Sequence, residues 1–466
     1  MRIQTKKRNS IRKISKFFCF YVSCVFCFSM SETIQAQEII HNNVLYLKYK
    51  NKVICKGFWD KTVKCNKLIL PDSIPVSGKN YPIFCIENDA FSNNKYLRYV
   101  RLPNTLQSIE SYAFGICANL DSIYIPASVK NISESAFYYS NLISIRVAPQ
   151  NPYFDSRDNS CAIINSKTNE LIAGSANTII PTSVVKLAEM SFSRRKKLKH
   201  ITIPKNIKSI GRLCFYDCEN LASVTFEDDS VAESQNAGLS IKDCVFGNCK
   251  VLKDISLPSR LNSIGDAAFA GCKKLSSLYI PGRVEFIGGY LFANSPSLKS
   301  VVVSSDNKYY DSRNQCNSII ETKSNNLLAT CHTTVIPYDV RIIGECAFQH
   351  VDIDNIIIPD GVKSIGSYAF SSKDIHNITI PESVDKIDVS SFFNCNKLNI
   401  HLKHTSPPIL TIDEDIIYSD FIDGITSDEN VSKYAYLKKI SFYVSKTVYE
   451  EYMKHPVWSK LNIRRY

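Results

Sequence analysis

The chain has 466 residues, of which 44% are hydrophobic and 21% are charged. This balance excludes a disordered tail and an integral membrane protein, and a chain of this length can bury a large core. The formal net charge is +12, but +6 of it belongs to residues 1–36. The other +6 is spread over the remaining 430 residues, so the charge does not indicate a nucleic-acid partner.

The first 36 residues have the layout of a secretory signal peptide. A basic stretch ending at Lys16 precedes 15 uncharged residues, 17–31, and a small-residue exit ends at Ala36. We therefore expect export, with a mature chain that begins near Gln37 and is secreted, cell-surface or periplasmic. No later stretch is apolar enough to cross a membrane, so we expect no transmembrane segment after signal removal.

Two alternatives for this segment stay open. A retained membrane anchor is disfavoured because 15 residues fall short of the about 20 that span a bilayer. A lipoprotein is disfavoured because Tyr21 stands where an aliphatic residue is expected before an acylated Cys24.

A repeat of 22 or 23 residues organises the rest of the chain. It is marked by phenylalanines that end motifs such as IESYAF and IGDAAF. Eleven positions share this mark: Phe91, Phe114, Phe137, Phe192, Phe215, Phe246, Phe269, Phe292, Phe348, Phe370 and Phe392. The period lies in the leucine-rich-repeat range, and a longer period of about 78 residues indicates that whole blocks were duplicated.

Each unit changes its periodicity in a way that predicts one turn of a solenoid. Leu120, Ile123 and Ile125 alternate with polar residues, as in a half-buried strand. Pro126 then ends the strand, because proline has no N–H for the ladder. The Ile-x-x-x-Ala-Phe step to Phe137 suits a tight helical turn on the opposite side. Such a unit buries its apolar face only against its neighbours.

We therefore predict an α/β solenoid that is mostly strand and loop with short helical turns. It is a leucine-rich-repeat array of eleven units with β-hairpin inserts and terminal caps. The predicted divisions are the signal peptide 1–36, an N-terminal β-hairpin cap 37–85, the solenoid 86–404, inserts near 149–180, 227–240 and 304–336, and a C-terminal cap 405–466.

These units, a GKNYPI segment, the NPYFDSR insert and a Trp-containing end together resemble the BspA-type leucine-rich repeat proteins. The resemblance covers about residues 39–466. It implies a right-handed, curved solenoid on secreted or surface-attached bacterial proteins, several of which are adhesins for host matrix or plasma proteins such as fibronectin and fibrinogen. No sorting or anchoring module follows the Trp-containing end, so a released or periplasmic protein is also expected.

Fourteen cysteines lie after the signal segment. Five recur three residues after the phenylalanine of a unit, and we interpret them as small buried hydrophobes: Cys117, Cys218, Cys249, Cys272 and Cys395. Cys249 and Cys272, on neighbouring turns, could still reach one another. Cys55 and Cys65 are the best disulfide candidates in an oxidising compartment.

Two groupings of residues imitate reactive sites. Cys214, Cys218, Cys244 and Cys249 have a spacing that imitates zinc ligands, but two of them are the recurrent position, so we expect no metal. Cys331 and His332 imitate a nucleophile beside its base, but sequence neighbours rarely form a catalytic pair.

We expect no enzyme activity and no cofactor, because the sequence has no Gly-rich phosphate loop, HExxH or GxSxG motif. A glycan-processing enzyme, which needs two carboxylates in a cleft, is the least favoured class.

Two inserts repeat the same polar residues 156 apart, and we predict for each a polar turn followed by a projecting β-hairpin. The shared residues are Tyr153 and Tyr309, Asp155 and Asp311, and Arg157 and Arg313. Each copy has too few carboxylates for a calcium loop, so Asp and Arg are interpreted as stabilising the turn.

The candidate binding surface is the exposed, concave side of the strands. Its candidate residues are Arg98, Tyr99, Arg101, Tyr124, Lys199, His200, Lys253 and Tyr279. Exposed Tyr and Arg are typical anchors of interfaces, although a plain solvated face is an equal alternative. We predict a non-enzymatic binding protein whose ligand is a protein or glycan, with a host extracellular-matrix protein as one candidate. A structural or envelope-assembly scaffold is the second hypothesis.

Overall fold

The computed structural model describes residues 37–227, 238–349, 351, 353, 355–372, 375–395, 398–411 and 440–466. The predicted signal peptide and most of the predicted insert near 227–240 lie outside these residues. In the described part, no helix is long and apolar enough to cross a membrane.

Short strands account for most of the regular structure. The first eleven are β1 Gln37–His41, β2 Val44–Tyr49, β3 Lys52–Phe58, β4 Lys67–Ile69, β5 Ser73–Val76, β6 Lys79–Ile86, β7 Tyr99–Arg101, β8 Ser108–Ile109, β9 Ser122–Ile125, β10 Asn131–Ile132 and β11 Ser144–Val147. The next thirteen are β12 Phe154–Asp155, β13 Ala162–Asn165, β14 Glu170–Gly174, β15 Lys186–Leu187, β16 His200–Ile203, β17 Ser209–Ile210, β18 Ser223–Phe226, β19 Leu239–Ile241, β20 Asp254–Ile255, β21 Leu261–Ile264, β22 Ser277–Ile280, β23 Phe286–Ile287 and β24 Ser300–Val303.

The last twelve strands are β25 Tyr310–Asp311, β26 Ser318–Glu321, β27 Asn326–Thr330, β28 Ile342–Ile343, β29 Asn355–Ile357, β30 Ser364–Ile365, β31 Asn377–Ile380, β32 Lys386–Asp388, β33 Asn399–Leu402, β34 Ile409–Thr411, β35 Ser441–Val444 and β36 Asn462–Arg465. Described helix is limited to α1, Tyr449–Lys454, and to 3₁₀ turns at Arg157–Asn159, Arg313–Gln315, Val389–Phe392 and Trp458–Lys460.

The strands stack in two parallel ladders. The front ladder contains four consecutive sheets: β4, β7, β9 and β11; β16, β18 and β20; β22 and β24; and β29, β31, β33, β35 and β36. The back ladder is built from shorter strands, such as Ser108–Ile109 beside Asn131–Ile132. Most turns contribute one strand to each ladder, so the predicted solenoid is confirmed.

The phenylalanines of the repeat form the centre of the core. All eleven are buried, and their rings stack in three runs along the axis. Phe114 and Phe137 lie 5.9 Å apart between ring centroids, and Phe215 and Phe246 lie 5.6 Å apart. The runs break at the two inserts. At the first insert the ring of Phe192 packs closely against Gly174, so that any side chain at position 174 would collide with the ring.

The two inserts do not project from the array as predicted. Their hairpins, β13–β14 and β26–β27, join the back ladder, because β14 pairs with β15 and β27 pairs with β28 in parallel. Ile163, Ile164 and Leu171 are buried. Neighbouring residues of one strand point to opposite faces, so the burial of both Ile163 and Ile164 shows that both faces of the hairpin are covered. Each hairpin therefore makes a turn of the solenoid.

The predicted count of eleven units is not confirmed. The solenoid has about 15 turns, because cap strands and insert hairpins also occupy positions in the stack without the marker phenylalanine. Counting phenylalanines therefore undercounts turns.

The two insert turns contain the same Asp–Arg pair, which makes the same hydrogen bonds in both copies and stabilises the turn, as predicted. Arg157 Nε donates to Asp155 Oδ1 at 2.7 Å, and Arg157 Nη1 donates to Asn169 Oδ1 at 2.8 Å. In the second copy, Arg313 makes the same bonds to Asp311 and Asn325, at 2.7 and 2.8 Å. These residues stabilise a turn.

The ends of the described stack are covered by different devices. At the N-terminal end, β1, β2 and β3 form an antiparallel meander whose last strand pairs in parallel with β6. At the C-terminal end, Trp458 is fully buried against Tyr452 and Phe442 and donates its Nε1–H to Pro408 O at 3.0 Å. Covering the last turn keeps its apolar face from water.

Candidate binding face

The outward side chains of the front ladder form a continuous surface, which we call the front face. It is defined by strand alternation: in β9, Ile123 and Ile125 point into the core while Tyr124 is 51% exposed. Side chains at the same place on neighbouring parallel strands lie next to one another, about 4.8 Å apart. The predicted site residues all lie on or beside these strands, and all eight are exposed.

The N-terminal part of the front face contains a row of alternating cations and apolar groups. Ile69 pairs in register with Arg101, and Tyr124 pairs with Arg146. Tyr99 is opposite Ser122, so two residues further along the strands Arg101 lies beside Tyr124. Four adjacent turns thus present Ile69, Arg101, Tyr124 and Arg146 in one line.

A second row runs along the beginning of the same strands. Lys67 is in register with Tyr99, and its Nζ lies 5.7 Å from the centroid of that ring. Arg98 makes an exposed ion pair with Asp121, at 3.8 Å, and Lys197 approaches the same carboxylate at 3.6 Å. Four of the eight predicted residues, Arg98, Tyr99, Arg101 and Tyr124, are therefore brought together.

The other four predicted residues lie further along the array on separate sheets. His200 begins β16, and its Nδ1 lies 2.7 Å from Ser223 Oγ on the next strand. Lys199 and Lys253 immediately precede β16 and β20. Tyr279, on β22, is 52% exposed and in register with the exposed Val302. These residues share the front face but do not form one cluster.

Sequence reasoning missed several residues of the front face. Ile69, Arg146, Val302 and Ile357 occupy the same outward place as Tyr124, and Ile357 is 77% exposed. Their common signal is a position between two buried apolar residues, as Tyr124 lies between Ile123 and Ile125. The sequence prediction concentrated on exposed aromatic and basic residues and did not follow this position through every strand.

The C-terminal part of the front face has a different chemistry. Asn377 Nδ2 donates to Asn355 Oδ1, and Asn399 Nδ2 donates to Asn377 Oδ1, both at 3.2 Å. Asn462 continues the series with a bond to Ser441 Oγ. Such an amide ladder satisfies its own hydrogen bonds and stabilises stacked strands. The repeated Asn before the Ile-x-Ile strands was its signal.

A pocket of about 260 Å³ lies on the front face beside β16. Ile179, His200, Thr202 and Glu227 contribute to its lining. Glu227 is the one carboxylate among the described lining residues, and it already accepts a hydrogen bond from the Lys205 backbone N–H. The pair of carboxylates that glycan hydrolysis requires is not assembled there.

The recurrent cysteines are buried free thiols, as interpreted from their position. Burial raises the pKa of Cys117, Cys218 and Cys272 to about 12, so these thiols stay protonated and unreactive at neutral pH. Cys249 and Cys272 are not bonded to one another. Their Sγ atoms donate instead to backbone carbonyls of the preceding turns, at 3.3 and 3.2 Å.

The candidate disulfide between Cys55 and Cys65 is absent from the structure, where both thiols are free. Cys55 points into the core from β3, while Cys65 lies in the following loop and its Sγ donates to Lys67 O at 3.1 Å. Cys55 is buried, whereas Cys65 is partly exposed.

The side chains of Cys331 and His332 both contact backbone carbonyl groups. Cys331 Sγ donates to Asn317 O at 3.3 Å, and His332 Nδ1 lies 2.9 Å from Leu298 O. The first contact lies within the second insert, and the second joins the insert to the preceding turn. No cluster of metal-ligating side chains is found in the part of the chain that the structure describes.

Together, these features define a parallel β-solenoid with one exposed ladder and buried thiols. The chain belongs to the BspA type leucine rich repeat family, whose model matches residues 52–165, 164–239, 232–324 and 321–447. The resemblance read from the repeat units is therefore confirmed. A comparison with curated proteins found no match.

Several solved structures have similar folds. A leucine rich cell surface protein from Faecalibacterium prausnitzii A2-165 is 19% identical, with 81% of this chain and 97% of that chain covered and a TM-score of 0.39. The pneumococcal vaccine antigen PcpA is 16% identical, with coverage of 92% and 98% and a TM-score of 0.41. A leucine-rich repeat protein from Bacteroides ovatus ATCC 8483 is 17% identical, with coverage of 92% and 99% and a TM-score of 0.39. At this distance the matches carry no argument about function, and membership rests on the repeat.

Proposed function

We propose that this protein is an exported, non-enzymatic binding protein that engages a protein or glycan through the front face, in an adhesive role. The observation that supports it most directly is the row formed by Ile69, Arg101, Tyr124 and Arg146 on four adjacent turns. Exposed Tyr and Arg on a rigid scaffold are typical anchors of binding interfaces. Arrays of stacked repeats offer broad surfaces that suit macromolecules better than small ligands.

Export is part of the same proposal. Its support is the signal-like segment 1–36, which is outside the described residues, and the family's occurrence among bacterial surface proteins. Cell fractionation tests it: the protein is expected in the periplasm, on the surface or in the medium. Confinement to the cytoplasm would contradict export, and confinement to the periplasm would favour the envelope-assembly scaffold over host adhesion.

A quantitative pull-down tests the binding role. The full chain is immobilised and presented with a panel of matrix proteins, plasma proteins and glycans. Tyr124→Ala and Arg101→Ala are expected to reduce capture at least about fivefold, because truncating an interface anchor costs more than about 1 kcal/mol. Tyr338→Ala is the matched control, since Tyr338 is 75% exposed and lies outside the front face. Specific capture that survives both front-face substitutions would remove the proposed surface.

A further inference from the structure

The N-terminal part of the front face differs from the rest in charge. Lys67, Arg98, Arg101 and Arg146 are exposed on three of the four turns from β4 to β11. Asp121 is the carboxylate that contacts this group among the described residues, and it is shared between Arg98 and Lys197. Arg101 and Arg146 have no ion pair with a described residue. Two exposed guanidinium groups are thus available on either side of Tyr124.

The row formed by Arg101, Tyr124 and Arg146 is not repeated in the next two sheets. In the next sheet the corresponding outward residues are Thr202 and Thr225, which pair in register. In the third they are Tyr279 and Val302. In the last sheet Ile357 is in register with Thr379. In the last sheet the row continues with His401 and Tyr443 to the exposed Arg464. The arrangement of two arginines in register on either side of Tyr124 is a feature of the turns from β7 to β11.

Aromatic rings lie between the cations at this surface. Tyr124 stands between Arg101 and Arg146, and Tyr99 stands beside Lys67. Tyr96 is flanked by Lys64 and Lys95, whose Nζ atoms lie 5.9 and 5.5 Å from its ring centroid. The rings offer flat apolar surfaces, while the cations present charge at the regular spacing of the solenoid, with Arg101 and Arg146 about 10 Å apart over two turns.

We infer that this surface binds a linear acidic polysaccharide, with carboxylate or sulfate groups on the guanidinium groups and sugar rings against the tyrosines. Arginine suits such anions because its planar donors match them bidentately. A repeating polyanion complements cations that recur along a ladder of strands. This inference rests on the proposed function, because it assigns a ligand class to the same face.

The test measures binding of the full chain to heparin and to polygalacturonate by calorimetry or biolayer interferometry. Dextran is the uncharged control, and poly-L-glutamate and an oligothymidylate are the other polyanions. We expect both acidic glycans to bind, dextran not to bind, and affinity to fall as salt rises through the physiological range, because exposed charges are screened. Arg101→Gln with Arg146→Gln is expected to weaken binding at least tenfold, and Tyr124→Ala severalfold.

Lys130→Gln with Lys167→Gln is the matched control, because it removes the same charge from exposed positions away from the front face. Equal loss in this control, or equally tight binding of poly-L-glutamate or the oligothymidylate, would overturn the inference by showing non-specific charge attraction. If no acidic glycan binds while a protein is captured through Arg101 and Tyr124, the inference fails and the proposed function stands. If the front-face substitutions affect no ligand, the proposed function fails as well.

Discussion

The Cys117 thiol donates a hydrogen bond to the carbonyl oxygen of Phe91, 3.2 Å away on the preceding turn. The same bond recurs where the repeat places cysteine: Cys218 to Phe192, Cys249 to Phe215, Cys272 to Phe246 and Cys395 to Phe370. Serine replaces cysteine in two turns, and Ser295 donates to Phe269 O at 2.9 Å. In these seven turns the position three residues after the phenylalanine is thus a buried donor to the preceding turn.

Removing this donor should destabilise the solenoid more than exchanging it. We expect Cys117→Ala to lower the free energy of unfolding by about 1–3 kcal/mol, because it leaves a small cavity and a poorly satisfied carbonyl. Cys117→Ser keeps the donor that natural turns use and should cost less. Urea unfolding followed by circular dichroism measures both. A larger loss for serine than for alanine would contradict the role of the hydrogen bond.

Stability should fall in mildly alkaline solution because of the same thiols. Burial raises the pKa of Cys117, Cys218 and Cys272 from 9.0 to about 12. Above pH 9 the unfolded chain therefore loses thiol protons that the folded chain retains, and ionisation favours unfolding. The stabilisation is complete below pH 9 and is lost as pH rises toward 12. At pH 10 the loss is about 1 kcal/mol for each thiol.

The measurement is the urea midpoint at a series of pH values from 8 to 10. A triple variant with serine at Cys117, Cys218 and Cys272 is the control, because hydroxyl groups do not titrate in this range. Its midpoint should depend less on pH than that of the natural chain. Equal slopes would show that other groups carry the alkaline loss.

The repeat made much of this fold predictable. Strand alternation, the proline stop and the recurrent Phe identified the solenoid and the burial of the cysteines, because each depends on local periodicity. The hairpins were misplaced because a sequence of apolar residues such as Ile163, Ile164 and Leu171 does not show whether neighbouring turns will cover it. The row proposed for binding was only half predicted, since Arg146 becomes a neighbour of Tyr124 through the register between turns.

The two insert turns should differ in stability although their sequences are alike. Arg313 Nη1 lies 2.6 Å from Asp339 Oδ2, whereas the equivalent atom of Arg157 meets the hydroxyl of Ser183 at 3.4 Å. A charged acceptor makes a stronger hydrogen bond than a hydroxyl. We expect Arg313→Gln to cost more than Arg157→Gln, by up to about 1 kcal/mol because both sites are partly exposed. Thermal unfolding of the two single variants is the measurement, and an equal or reversed order would contradict the expectation.

Arg195 occupies the thiol position in the first turn after an insert, and it should be the most sensitive residue of that junction. It is 1% exposed, and its Nε donates to Gly174 O at 2.7 Å while its Nη1 donates to Ser193 O at 2.9 Å. The same Nη1 also reaches carbonyls of the turn before the insert, at Phe137 and Ser140. One side chain therefore joins three stretches of chain across the break in the phenylalanine stack.

We expect Arg195→Met to lower the free energy of unfolding by about 3–5 kcal/mol, because several buried carbonyls lose their donor at once. Arg195→Lys should recover only part of the loss, since an ammonium group cannot reach acceptors on opposite sides as the planar guanidinium does. Hydrogen exchange locates the effect: amides of residues 137–140 and 174–176 should exchange faster while those around Phe370 stay protected. A loss below about 1 kcal/mol would mean that the inserts, rather than this side chain, hold the neighbouring runs of the stack together.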